Sequence, residues 1–284
     1  MSRVALICLS ILLSALNAKA ADDPNCFPLE GLSEEVRPYA EMYLANALRT
    51  EAIYTFAGPL KPVSEGFAKY DVLRGKSPEG ALRIFRTLAE AWQCGGRYEV
   101  FPHLAETDED GDRRLSLYLA HRESLRNVIS RRPALFNRLS LMPSDSLEHV
   151  IYIAERAAEP IRAEALGALF GFPYEASQFF VRNERRRIRN QETLRQRHVR
   201  IVGVERTAEF IYVVDAKAKV AETETRLRQR SAAIRASYRR VLRGLTKELE
   251  RPPLPQEILR RWIAGKPALF PGANCAVTLV DPPE

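Results

Sequence analysis

The chain has 284 residues, of which 46% are hydrophobic and 28% charged, and 43 Lys and Arg stand against 36 Asp and Glu for a formal net charge of +7. That apolar content is enough for a packed core, and four cysteines over this length exclude a disulfide-held scaffold. Beyond the first residues, no apolar stretch approaches the roughly 20 residues that cross a bilayer.

Residues 1–23 read MSRVALICLSILLSALNAKAADD and carry the three parts of a secretory signal in order. Arg3 supplies the positive start, and Val4 to Leu16 is an apolar run interrupted only by Ser10 and Ser14. Asn17-Ala18-Lys19-Ala20 then sets small residues for a cut before Ala21. Cys8 lies inside the apolar run and Cys26 follows Asp-Pro-Asn, so neither occupies the setting of a lipidated cysteine. Residues 1–20 are therefore expected to be a signal peptide, and the mature chain to be exported, periplasmic or extracellular, with no transmembrane segment. The mature cysteines are Cys26, Cys94 and Cys275, without a C-x-x-C motif. Export permits a disulfide. The expected bond is Cys26–Cys94, pinning a segment with little apolar content, and Cys275 is left reduced.

In chain order, residues 21–32 are expected to run extended over the surface. Ser33 with Glu34 and Glu35 starts a helix, and Ala40, Tyr43, Ala47 and Tyr54 mark one face of it as far as Tyr54. FAGPLKPVS, residues 56–64, holds Gly58, Pro59 and Pro62 and reads as a structured loop. Ser77-Pro78 caps the next helix, with Leu82, Phe85, Leu88 and Trp92 as its stripe and Gly95-Gly96 as its stop. RYEVFPH, residues 97–103, suggests a short strand, and 107–112 an acidic turn. Helices are then expected over 115–130, 133–139 and 145–158, the last capped by Asp145 with Glu148.

Another helix runs from Pro160 to a left-handed corner at Gly171, and Pro173 starts the next. HVRIVGV and FIYVV, residues 198–204 and 210–214, suggest a hairpin. A long amphipathic helix follows over 217–249, then a short helix over 256–264, and a last strand at 275–280. The expected class is mainly α, of α+β type, with a small β element in the C-terminal half. The division is a helical region over 21–197 and a hairpin–helix region over 198–284, packed on the same core.

Charge is unevenly placed. Residues 21–181 carry 18 Lys and Arg against 24 Asp and Glu, whereas 182–243 carry 18 against 7. The densest part includes Arg185, Arg186, Arg189, Arg195 and Arg197, a candidate anion-binding face for an anionic envelope component or acidic partner. The opposing reading is a solvated face whose arginines pair with acids of the first block. Arginines without interleaved aromatics, and no helix-turn-helix or zinc-finger signature, argue against specific nucleic-acid recognition.

Catalytic signatures are sparse. Residues 106–112, ETDEDGD, resemble the start of a calcium loop, but Leu117 stands where the bidentate acid belongs, so the stretch is read as an acidic helix-start turn. The four histidines form no metal-binding pair. No G-x-S-x-G elbow or phosphate-cradling glycine loop is present, and Ser64 and Ser177 lack flanking glycines. No cofactor or metal centre is expected. The one segment that concentrates chemistry is the 56–66 loop with the helix before it, which offers Glu51, Lys61, Ser64 and Glu65.

Two functions remain in view: a non-catalytic exported binder using its basic surface, favoured by the charge segregation, and an envelope hydrolase with a dispersed site near residues 56–66. A cleft where carboxylates or a Ser–Lys pair converge would favour the enzyme; a flat basic face would favour the binder. Exported protein is expected to begin within about two residues of Ala21, as signal cleavage requires. Intact mass of secreted material checks this, and retention of Met1 would refute it.

Overall fold

The computed structural model describes residues 26–265 apart from 59, 66, 74–75, 95, 106–109, 190, 205–208 and 220–221. Residues 1–20, expected to be a signal segment, Cys275, the strand expected at 275–280 and most of the acidic turn lie outside the described residues. The elements are α1 (Arg37–Arg49), α2 (Ala52–Ala57), β1 (Val63–Ser64), β2 (Lys69–Val72), α3 (Glu79–Ala91), β3 (Tyr98–Leu104) and β4 (Arg113–His121). They continue as α4 (Arg122–Arg131), α5 (Pro133–Phe136), a 3-10 turn (Asn137–Leu139), α6 (Leu147–Arg156), α7 (Ile161–Leu169) and α8 (Tyr174–Ile188). The hairpin β5 (Gln196–Val202) and β6 (Glu209–Asp215), then α9 (Glu222–Leu249) and α10 (Pro255–Ala264), complete them. The class is α+β, with the hairpin and long helix in the C-terminal half.

The helix expected over 115–130 is a correction: Arg113–His121 is a strand, and helix begins only at Arg122. β4 is the centre of an antiparallel sheet. β3 pairs along one edge, from Tyr98↔His121 to Leu104↔Leu115. The other edge is shared, first by β1 at Val63↔Ala120 and then by β2 from Lys69↔Ser116 to Val72↔Arg113. Leu115, Leu117 and Leu119 enter one apolar core, and Tyr118 and Ala120 enter another on the opposite face. A strand buried on both faces reads as a continuous apolar run, and periodicity cannot separate such a run from a buried helix. At its end the His121 ring accepts a hydrogen bond from Ser124 N at 3.2 Å and caps α4.

The first core gathers α1, α2, α3, the hairpin, α9 and α10; the second lies under α4 to α7. Tyr54 ties the first together: its hydroxyl donates to Val202 O in β5 and lies 2.6 Å from Ser231 Oγ in α9. The amphipathic character expected of α9 is present, with Leu227, Ile234, Tyr238 and Leu245 buried along it. The first expected helix divides instead at Thr50, whose backbone is extended, and α6 is capped by the Ser146 hydroxyl rather than by Asp145.

Of the N-terminal segment expected over the surface, the described residues 26–29 are instead anchored in the core, and exposure resumes at Glu30 and Gly31. Cys26, Phe27 and Leu29 are buried, and the Phe27 ring sits 5.2 Å from Phe56 and 5.6 Å from Trp92 and Tyr98. The expected Cys26–Cys94 disulfide is likewise corrected. Both residues are buried thiols close to Tyr98, and the aromatic plug of Phe27 supplies the attachment that a cross-link was expected to provide.

The corner between α7 and α8 follows the sequence. Gly171 has φ +76°, its N–H returns to Ala168 O, and α8 starts at Tyr174 after Pro173. A Cβ at Gly171 would lie 2.5 Å from Leu60 O and 3.2 Å from the Lys61 Cα, so the corner rests directly on the Leu60–Lys61 backbone. Gly171→Val is expected to cost about 2–4 kcal/mol, combining left-handed strain with a backbone clash. Denaturant unfolding checks the figure, and an unchanged midpoint would refute it.

Candidate functional site

Where that corner rests on Leu60 and Lys61, a cavity of about 620 Å³ opens between α7, α8, β6 and the approaches to β1. Its walls are mostly apolar, including Leu166, Phe170, Phe172, Phe180 and Ile211, with Glu51, Lys61, Glu65, Glu159, Arg162 and Ser177 among them. Largely apolar walls around a few convergent polar groups are the usual composition of a small-molecule site.

Lys61 is the deepest of the charged groups. Its ammonium lies 2.6 Å from Glu51 Oε1, with side-chain exposures of 3% for Lys61 and 22% for Glu51. It also stands 5.0 Å from the Phe210 ring centroid and 5.6 Å from that of Phe170. The carboxylate and the two ring faces replace the water this ammonium gave up. Arg162 Nε is matched by Glu159 Oε1 at 2.8 Å, nearer the solvent.

Ser177 is set by close helix packing. A Cβ on Gly167 would meet Ser177 Oγ at 2.0 Å, so glycine in α7 is what admits the serine of α8. The Ser177 Oγ is buried and has no hydrogen-bond partner among the described residues. A buried hydroxyl left without a partner costs free energy, which a polar group entering the cavity would restore.

Behind Glu65 runs a polar chain. The Tyr118 hydroxyl donates to Glu155 Oε1 at 3.4 Å, and Glu155 Oε2 lies 3.0 Å from His103 Nε2. Burial, reinforced by the nearby carboxylates of Glu65 and Glu155, holds the Tyr118 phenol well above its ordinary range, so it remains a donor.

Of the four candidates near the 56–66 loop, Glu51, Lys61 and Glu65 therefore line one cavity. Ser64 does not: it is buried in β1, and its Oγ lies 2.6 Å from Thr55 Oγ1. A Ser64–Lys61 dyad is not formed. Ser177, Tyr118, Arg162 and Glu159 were missed as site residues, because they come from elements far apart in sequence. Phe170 and Phe172 at the Gly171 corner are the signal in the sequence that marks the apolar wall of this cavity.

The candidate anion-binding arginines do not share one helix face. Arg185 and Arg189 lie at the end of α8, whereas Arg197 belongs to β5. Arg197 Nη2 is 3.0 Å from Glu224 Oε2, and Arg228 joins the same carboxylate at 2.9 Å. Burial works against ionisation of Glu224, but hydrogen bonds from the two guanidinium groups outweigh it and hold the carboxyl below its ordinary range. Arg186 Nε donates to Glu192 O at 2.7 Å. Arg185, Arg189 and Arg195 remain exposed, and none has a carboxylate partner among the described residues.

Compared with protein-family models, curated proteins and solved structures, the chain matches none. Glu51→Gln, which strands the more deeply buried ammonium, is expected to cost about 3 kcal/mol. Lys61→Met should cost clearly less, and the double variant should recover most of the Glu51→Gln loss. Urea unfolding checks the order, and equal costs with no recovery would refute it.

Proposed function

We propose that the chain is an exported hydrolase that takes an amphipathic component of the cell envelope into the 620 Å³ cavity. The observation that carries this reading is the meeting of Glu51, Lys61 and Glu65 on one mostly apolar wall. Glu65 is the only one of the three that is exposed, and its neighbour Tyr118 is a standing donor, so Glu65 is the group suited to proton transfer. Its carboxylate takes a proton from a water molecule as that oxygen bonds to the electrophilic centre. The bond to the leaving group then breaks, and the same proton passes from Glu65 to the leaving group.

The Lys61 ammonium, desolvated and held by Glu51, stabilises the negative charge that develops between these events. Leu166, Phe170 and Phe172 receive the hydrocarbon part, and the Ser177 hydroxyl orients a polar group beside it.

The test incubates purified mature protein with isolated envelope lipid and glycan fractions and follows released products by mass spectrometry. Wild type is expected to release product, and Glu65→Gln to lose at least about a hundredfold in rate, the lower end for a missing general base. No product from any fraction, or Glu65→Gln at the wild-type rate, would overturn the reading. A second reading, a non-catalytic binder of an anionic envelope component or acidic partner, is favoured by the exposed, acid-free trio Arg185, Arg189 and Arg195. Salt-dependent heparin binding, lost when the trio is changed to Gln, with no product formed by wild type, would select it.

A further inference from the structure

A second hollow, of about 310 Å³, lies at the other side of α7 and is built from the end of α4, from α5, the 3-10 turn and the start of α8. Three guanidinium-bearing residues, Arg131, Arg132 and Arg138, line it, and Glu164 is its one carboxylate. Arg132 is placed over the Tyr174 ring, 6.0 Å from the centroid. Glu164 is already engaged, accepting a hydrogen bond from Gln178 Nε2 at 2.6 Å. Neither Arg131 nor Arg138 has a carboxylate at ion-pair distance among the described residues, and both are exposed.

Arg131 and Arg138 bring like charge to one concave surface, and the one carboxylate among its lining residues, Glu164, is engaged by Gln178. Folded surfaces ordinarily intersperse acids among such arginines, and this half of the chain has acids to spare, 24 against 18 Lys and Arg over residues 21–181. Guanidinium forks converging from different elements match the several oxygens of a tetrahedral oxyanion. Pro133, Ala134 and Leu135 give the hollow an apolar side, with room beyond the anion for the group that carries it.

We propose that this hollow is a binding site for a phosphate group, held by Arg131, Arg132 and Arg138 with Tyr174 beside it. The site is separate from the carboxylate-lined cavity and does not depend on the hydrolase reading. The same chemistry would accept free phosphate or the phosphomonoester headgroup of a lipid, and the two arms of the experiment distinguish them.

One arm titrates inorganic phosphate against matched ionic strength in chloride and follows the melting temperature. The other sediments the protein with vesicles of phosphatidylcholine with or without phosphatidic acid. Arg131→Gln/Arg138→Gln is expected to weaken the response at least about tenfold, since two charge-assisted contacts are removed. Arg86→Gln/Arg243→Gln, at exposed positions of α3 and α9, is expected to leave it within about twofold, because neither residue lines the hollow. Arg131→Lys/Arg138→Lys, which keeps the charge and loses the fork, should fall between, and guards against a folding defect in the Gln pair. A phosphate response assigns the free anion; a response to phosphatidic acid alone assigns the headgroup. No response in either arm, or an undiminished one in the Gln pair, would overturn the proposal.

Discussion

Everything in this fold is hung on a strand that is buried on both faces from Leu115 to His121. β4 places three leucines in one core and Tyr118 with Ala120 in the other, so a single stretch of backbone belongs to both. Such a strand needs partners on both edges, because its N–H and C=O groups have no solvent to turn to. β3 supplies one edge in full; β1 and β2 divide the other, and Leu117 N donates to Ala68 O between them. The helices are consequently arranged as two layers, each covering the face that the sheet presents to it.

The carboxylate-lined cavity comes from close approaches more than from bulky walls. Gly171 lets the α7–α8 corner touch the backbone at Leu60, and Gly167 lets Ser177 sit against α7. Those contacts bring Phe170 and Phe172 over the segment that carries Lys61. The ammonium is then enclosed by Glu51, Phe170 and Phe210, which belong to three separate regions of the chain. A charge in such surroundings is retained only while all of them stay in place, which makes the site's geometry a condition of the fold's stability.

Helix stops and starts were legible wherever a residue's own backbone preference decides them. Pro78, the Gly171–Pro173 corner and the β-branched hairpin needed no tertiary information. β4 was not legible, because burial on both faces erases the alternation that marks a strand. The docking of residues 26–29 was missed for a related reason: one Phe27 in an aromatic nest outweighs the polar composition around it. Glu51, Lys61 and Glu65 could be singled out because prolines and charges crowd that loop. Ser177 and Tyr118 could not, since what makes them notable is the neighbour each meets across the fold. The arginine-rich stretch was visible as composition, but only coordinates separate Arg197, bound to Glu224, from its exposed neighbours.

The divided edge of the sheet has a consequence for how this architecture could diversify. Between Ser64 and Lys69 the chain leaves the ladder and rejoins it, touching β4 through Ala68 O. Glu65 stands in that gap, directly after β1 and on the lining of the cavity. Extra residues inserted there would lengthen an excursion that already exists, while the pairing on either side kept its register. Descendants of the scaffold could thus reshape what the cavity admits by indels at Glu65, ahead of Phe67 and Ala68, which are anchored in the first core.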